Sequence, residues 1–393
     1  MPSQTRKSSF TYLQQKIPVY YGSFWTPRQR QAHNLHEIAY RACFKPALPR
    51  YFIEKYTAPG DIVYDPFSGR GTTVIEAAIL GRHIIANDVN PISRILAQGR
   101  MAIPDLDKLS ERLDVIRQLQ PVAERHHLSM FYHRQTLHEL LRLRQWLQKR
   151  KAGGEEDALD HWIRMVATNR LAGHSPGFFS VYTLPPNQAV SRERQKLINA
   201  KRNQKPEYRD VKALILKKSK AMLKDLDDQA RAHIEAAGRK ALFIEGDAAK
   251  TKKIKANSVT LTVTSPPFLD IVQYAKDNWL RCWFNDIPVE EIAHGITMSK
   301  TVDDWMHKMQ TVFHELYRVT KPGGHVAFET GEIHYGKTRL EHSVVHMGIQ
   351  AGFHCDKILI NEQTFTKTAN IWGVRNNTHG TNSHRIVVFS KPE

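Results

Sequence analysis

Cysteine is scarce in this 393-residue chain, which has three, Cys43, Cys282 and Cys355, each isolated from the others. That excludes a disulfide framework and a cysteine-based zinc cluster, and it points to reduced, structural thiols. His138 and His174 likewise lack neighbouring residues at ligand spacing, so no metal is expected. No apolar run approaches the ~18 residues that would cross a bilayer. The polar start Met1-Pro2-Ser3-Gln4-Thr5-Arg6-Lys7 does not have the pattern of a signal peptide, so a soluble cytoplasmic protein with no membrane partner is expected. Internal repeats and low-complexity segments are absent. Acidic residues are in deficit, 39 against 57 Lys and Arg, for a formal charge of +18. Such a balance favours a polyanionic partner.

The length exceeds that of one ordinary domain, which suggests a catalytic core carrying a sizeable insertion. Four β-type runs end in polar residues. The run Ile62-Val63-Tyr64 leads into Asp65-Pro66-Phe67-Ser68-Gly69-Arg70-Gly71-Thr72-Thr73, followed by a helical pattern that closes at Gly81. A strand, glycine turn and helix N-terminus in that order offer free amides and close backbone approach to a polar ligand. The third glycine of a dinucleotide fingerprint is missing, as is a Gly-Lys-Thr phosphate loop, which disfavours NAD and ATP. His83-Ile84-Ile85-Ala86 ends at Asp88, roughly 20 residues on, where an acid can accept from ribose hydroxyls. A plainer role for Asp88 is to cap the helix that begins near Pro91. Leu242-Phe243-Ile244 ends at Asp247. The run Ser258 to Val263 ends in Thr264-Ser265-Pro266-Pro267-Phe268, a stiff shelf of acceptors beside a ring. Each proline removes a backbone donor, so a flat ring bearing an amino group could stack on Phe268 and donate to Ser265 and a proline carbonyl. Strands alternating with helices imply a doubly wound, mostly parallel α/β sheet, with Asp65, Asp88, Asp247 and Ser265 all on its carboxyl edge.

Between about 101 and 240 the character changes to amphipathic helices, the loop Gly173 to Gln188, and a strongly basic run. The parts expected are a first core portion over 1–100, a helical and basic insertion over 101–240, and a second core portion over 241–393. A charge run is usually a solvated helix face. Here it follows a loop of Gly, aromatic, Asn and Gln residues, the combination needed for phosphate contact and base-edge reading. The candidate nucleic-acid contacts are His174, Phe178, Phe179, Asn187, Gln188, Arg192, Arg194, Lys201, Arg202 and Lys205.

These motifs resemble those of the S-adenosylmethionine-dependent amino-methyltransferases that modify exocyclic amines of DNA bases, specifically the cytosine-N4 type. The resemblance covers nearly the whole chain and implies a seven-stranded-type methyltransferase sheet. It also implies S-adenosylmethionine as cofactor and double-stranded DNA as substrate. Asp65, Pro66, Phe67, Ser68, Gly69, Gly71 and Thr72 match the cofactor motif. Phe44, Lys45 and Pro46 match the segment closing over the methionine end, Asp88 the ribose-binding acid, and Asp247 the position beside adenine. Ser265, Pro266, Pro267 and Phe268 match the catalytic motif, whose leading serine is typical of cytosine-N4 enzymes. Adenine-N6 enzymes more often carry Asp or Asn there. The cofactor motif precedes the catalytic motif, whereas many cytosine-N4 enzymes have the reverse order. The family includes enzymes of restriction-modification systems, which implies a cognate restriction endonuclease. Carbon-5 methylation would need a nucleophilic cysteine, usually after proline, and none of the three follows one. A base within a duplex cannot reach the shelf, so flipping is implied, with Phe178, Phe179 and Asn187 as candidates to fill the gap. Methylation of adenine N6 or of RNA, and a non-catalytic nucleic-acid-binding protein on the same core, are the alternatives.

Overall fold

The computed structural model describes residues 5–24, 33–40, 43–120, 127–183, 190–267, 277–289, 301–330, 339–362 and 383–393. Its strands are β1 (Arg6–Tyr12), β2 (Gln15–Gly22), β3 (Ile62–Asp65), β4 (His83–Asp88), β5 (Leu242–Glu245), β6 (Val259–Thr264), β7 (Thr320–Thr330), β8 (His354–Glu362) and β9 (Ser383–Ser390). They form one nine-stranded sheet in the order β1-β2-β8-β9-β7-β6-β3-β4-β5. Within it β9 runs antiparallel between β8 and β7, and β1 antiparallel to β2, while every other pairing is parallel. The expected doubly wound, mostly parallel sheet is therefore present, widened by an N-terminal hairpin. That hairpin turns through Leu13 and Gln14, both with positive φ. Because neither is glycine or asparagine, the turn left no signal in the sequence.

The strands are short and apolar because both faces of the sheet are covered. On β9, Ile386 and Val388 join one buried cluster and Val387 and Phe389 the other. The first face carries α1 (Ala47–Tyr56), α2 (Thr72–Ile79), α3 (Pro91–Gln98) and α10 (Trp279–Asn285). Between α3 and β5 the chain forms α4 (Leu106–Arg117), α5 (Arg134–Ala152), α6 (Ala158–Arg170), α7 (Arg192–Arg202), α8 (Val211–Met222) and α9 (Asp228–Lys240). The second face carries α11 (Val302–Val319) and α12 (Leu340–Gln350), which supply Trp305, Phe313, Leu316, Val344 and Val345.

Among the described residues, the helical segment shares the core of the sheet. Leu109, Leu140, Trp162 and Ile215 belong to the same buried cluster as Val63, Ile75 and Leu261 of the sheet and its helices. Its last helix, α9, packs on α2 and β4. There His233 Nδ1 lies 3.0 Å from the Ile79 carbonyl, so the layer that covers the sheet resumes before residue 241.

Candidate active site

The chain runs outward from β3 to β4 and β5, then returns to place β6 on the other side of β3. Ligands in open α/β sheets bind at such a switch point, beyond the carboxyl ends of the strands. Asp65 ends β3 there and Ser265 follows β6 directly. The two strands are tied by Thr264 Oγ1, which donates to Asp65 Oδ1 at 2.7 Å. Asp65 is buried, and burial pushes its carboxyl up to about 7 against the bonds from Thr264 and the Phe67 amide.

The glycine turn is built as expected. Gly69 and Gly71 both have positive φ, where a side chain would be strained. A Cβ on Gly69 would come within 3.4 Å of the Tyr40 ring, and one on Gly71 within 3.0 Å of Ala97 Cβ. Gly71 begins α2 without a side-chain cap. The loop is fixed by its neighbours: Ser68 Oγ pairs with Ser93 Oγ at 2.8 Å, Asn87 Nδ2 donates to the Pro66 carbonyl at 3.1 Å, and Thr72 Oγ1 accepts from Arg70 Nε at 3.1 Å. Phe67 is half-buried, and its amide donates to Asp65.

Asp88 faces this loop. Its Oδ2 accepts from the Gly69 amide at 2.8 Å and its Oδ1 from the Asn90 amide at 2.9 Å, each oxygen keeping capacity for a further donor. Burial raises its carboxyl to about 6. The helix-capping role falls instead to Asn90, whose side chain accepts from the Ile92 amide at 3.1 Å. Asp247 is exposed beyond β5 and accepts from the Ala249 amide at 2.9 Å, while the Gly246 amide beside it donates to the Asp88 carbonyl. Phe44 is buried with its carbonyl toward Arg70, Lys45 is half-buried, and Pro46 is the N-cap of α1.

A ring of basic groups supports the loop from behind. Arg100 is completely buried and donates to the carbonyls of Leu96, Leu35 and Arg70, so burial lowers its guanidinium to about 9. Glu76 in α2 is fully buried between His36 Nε2 at 2.6 Å and Arg50 Nε at 2.9 Å, and its carboxyl lies below its usual range. Burial takes His36 down to about 4.

At the shelf, Ser265 is half-buried and Pro266 buried. The Pro267 carbonyl accepts from Trp305 Nε1 at 3.1 Å, which fixes the shelf to α11. Phe268 lies outside the described residues, as do Asn187 and Gln188. The motif reading missed one neighbour. Thr264 pairs with Phe328 across β6 and β7, so Glu329 stands one residue beyond, level with Ser265. Ala327 and Val263 point to the same face of the sheet, which puts Glu329 and Ser265 on that face as well, with strands about 4.8 Å apart. Glu329 is 5% exposed, and its carboxylate meets His384 Nδ1 at 2.7 Å. An acid closing the apolar run of β7 was its signal in the sequence.

The candidate DNA contacts divide. Phe178 and Phe179 are 5% and 0% exposed, and the Arg170 guanidinium lies 4.2 Å from the Phe178 ring centre. They are packing residues, and the expectation that they fill a gap in DNA is corrected: rings enclosed by protein have no face left to stack. His174 is half-buried beside Phe178. Arg192 is half-buried over the Trp279 ring, whereas Arg194, Lys201, Arg202 and Lys205 are exposed. Among the described residues no group of three His, Cys, Asp or Glu could hold a metal, and no helix is long and apolar enough to cross a membrane. Cys43 is exposed; Cys282 and Cys355 are buried.

The family model described as DNA methylase matches residues 2–96, the stretch holding the glycine turn and Asp88. Residues 2–96 are thus similar to the DNA methylase family. Curated relatives match parts of the chain as well. Type II methyltransferase M.MjaII of Methanocaldococcus jannaschii is 33% identical over 86 residues, 22% of this chain and 16% of the relative. M.MvaI of Kocuria varians is 30% identical over 97 residues, 24% of this chain and 21% of the relative. M.BsoBI of Geobacillus stearothermophilus is 21% identical over 314 residues, 75% of this chain and 61% of the relative. The chain thus spans less than two thirds of each relative.

Proposed function

We propose that this chain is an S-adenosylmethionine-dependent DNA methyltransferase of the N4/N6 amino type, with the N4 amine of cytosine in double-stranded DNA as its target. The observation that carries this reading is the meeting of the glycine turn, Asp88 and Ser265 at one switch point. The residues present suit the cofactor. Gly69 leaves the loop clear of side chain, α2 offers uncapped amides, and Asp88 keeps acceptor capacity for ribose hydroxyls. When bound, S-adenosylmethionine supplies an electrophilic methyl group.

The protein's own part is to hold the amine. An exocyclic amine has its lone pair spread into the ring, and acceptors for its two hydrogens favour a more tetrahedral nitrogen. Because Trp305 occupies the Pro267 carbonyl, the Ser265 hydroxyl and the Pro266 carbonyl are the shelf's acceptors for that task. The nitrogen gains a carbon bond and loses a proton, and Glu329, level with Ser265, is placed to receive it through ordered water or directly. Phe268 stacks on the extruded ring in this reading. The names of the relatives support placement in a type II restriction-modification system with a cognate endonuclease.

The test is to incubate the protein and S-adenosylmethionine with plasmid DNA, digest to nucleosides and identify the product by mass. N4-methylcytosine is expected. N6-methyladenine would transfer the same mechanism to adenine, and failure to bind S-adenosylmethionine in calorimetry would leave only a nucleic-acid-binding protein on this core.

A further inference from the structure

Helix α7 turns its polar side inward. Gln195 is completely buried, and its Nε2 donates to the Tyr182 carbonyl at 3.0 Å and to Asn199 Oδ1 at 2.7 Å. Asn199 Nδ2 donates onward to the Met130 carbonyl at 2.8 Å, and Gln204 Nε2 to the Tyr182 carbonyl at 2.9 Å. Ser191 caps the start, accepting from the Arg194 amide, and Asn203 in the left-handed region ends the helix. The helix is thus seated mainly by side-chain amides on backbone carbonyls, with Ile198 its one partly buried apolar side chain against the core, an arrangement that fixes its rotation without an apolar stripe.

The outer face carries what the inner face lacks. Leu197 is 62% exposed, the centre of a surface made by Arg194, Lys196, Ala200 and Lys201, all exposed. Residues three and four apart share a helix face, so Arg194 and Lys201 flank Leu197 directly. Glu193, in the first turn, sits where the helix dipole favours an acid. Lys205 continues the cationic track past the helix end. The helix is also tied to the site: Arg192 lies over the Trp279 ring at 5.6 Å and Trp279 Nε1 donates to the Val190 carbonyl at 3.0 Å. From the same helix α10, Arg281 donates to the Ala39 carbonyl, next to the Tyr40 ring that borders Gly69.

We propose that this outer face docks on double-stranded DNA, with Leu197 entering a groove against sugars or base edges and Arg194, Lys196 and Lys201 on the flanking phosphates. The proposal rests on the DNA methyltransferase reading and gives it a contact surface. A polyanion whose grooves have apolar walls satisfies both parts of the face at once. A membrane would satisfy the cations, but one leucine on an 11-residue helix buries too little apolar area to anchor it.

The test titrates the full chain into a fluorescein-labelled duplex of random sequence, read by anisotropy over a range of salt. Arg194→Ala and Lys201→Ala are each expected to weaken binding and to flatten the slope of log affinity against log salt by about 1. Leu197→Ala is expected to weaken binding about fivefold with the slope unchanged, as loss of an apolar rather than a phosphate contact. Thermal unfolding and S-adenosylmethionine binding should stay at wild-type values in all three. Wild-type duplex affinity in the combined Arg194→Ala, Leu197→Ala, Lys201→Ala variant would overturn the docking face while leaving the methyltransferase reading in place. A larger loss of affinity on single-stranded RNA or phosphatidylserine vesicles than on duplex would also overturn it. Failure of the wild-type chain to bind duplex at low salt would sink the methyltransferase reading itself.

Discussion

At the carboxyl edge of the sheet, charged side chains are drawn into the protein; on α7 the charges are turned out and neutral amides drawn in. Asp65 and Asp88 sit at strand ends where burial raises both carboxyls, and each is held by hydroxyl or amide donors from the loops around it. Gln195 and Asn199 are held by bonds of similar length to carbonyls, but carry no charge and titrate nowhere. A buried carboxylate is costly to keep, so its presence beside a glycine loop marks a place where chemistry or a ligand repays the cost. A buried amide costs less and specifies position. The two regions therefore divide the work: one holds groups poised to change partners, the other a rigid mount.

The largest effect expected from breaking this contrast lies behind the loop. Glu76→Ala would leave the His36 imidazole and the partly exposed Arg50 guanidinium without their shared carboxylate, and the unpaired groups typically cost about 1–3 kcal/mol, to be read as a fall in thermal and urea stability. Next comes the shelf. Ser265→Ala should reduce methyl transfer about 10²-fold with little change in cofactor affinity, as for removal of one preorganised polar group from a reacting centre. Equal transfer by this variant in a single-turnover assay would remove Ser265 from the chemistry.

The edge also makes a prediction that α7 cannot share, because it titrates. Asp88 accepts donors best when ionised, so S-adenosylmethionine affinity should hold above about pH 6 and fall roughly tenfold per unit below it, measured by calorimetry. Stability should move the opposite way. The folded carboxyl binds its proton more tightly than the unfolded one, so the folded state holds more protons between the unfolded value of about 4 and the folded value of about 6. From this group, stability therefore rises as pH falls through that window and is lost as pH rises. Asp88→Asn should abolish the affinity trend and leave only the part of the stability trend that Asp65 supplies.

What could be read from the chain follows the same division. The edge was legible because each strand is a short apolar run ending in a polar residue, and because Gly69 and Gly71 are needed where φ is positive. Glu329 escaped because a single acid at the end of β7 means nothing until the ladder sets it beside Ser265. The hairpin of β1 and β2 escaped because Leu13 and Gln14 turn it without glycine. In the helical segment, the Gly173 to Tyr182 loop looked like an aromatic surface, yet Phe178 and Phe179 are core. Composition reports which residues are polar or apolar, and only packing decides which way a loop folds them. Helix α7 is the sharpest case: a periodicity argument would bury Leu197 and expose Gln195, and the structure does the reverse.

That reversal gives the smallest and most pointed prediction. Gln195→Ala removes one donor from the Tyr182 carbonyl and one from Asn199 Oδ1, both of which keep Gln204 Nε2 as donor, so the expected cost is that of ordinary hydrogen bonds, about 0.5–1.5 kcal/mol. Leu197→Ala, the substitution that would be costly in any ordinary amphipathic helix, should change stability by no more than about 0.5 kcal/mol because the side chain is already in water. Comparing the two by urea denaturation isolates the mount from what it carries. If Leu197→Ala proved the more destabilising, Leu197 would be seating the helix after all, and the docking face on α7 would fall with it.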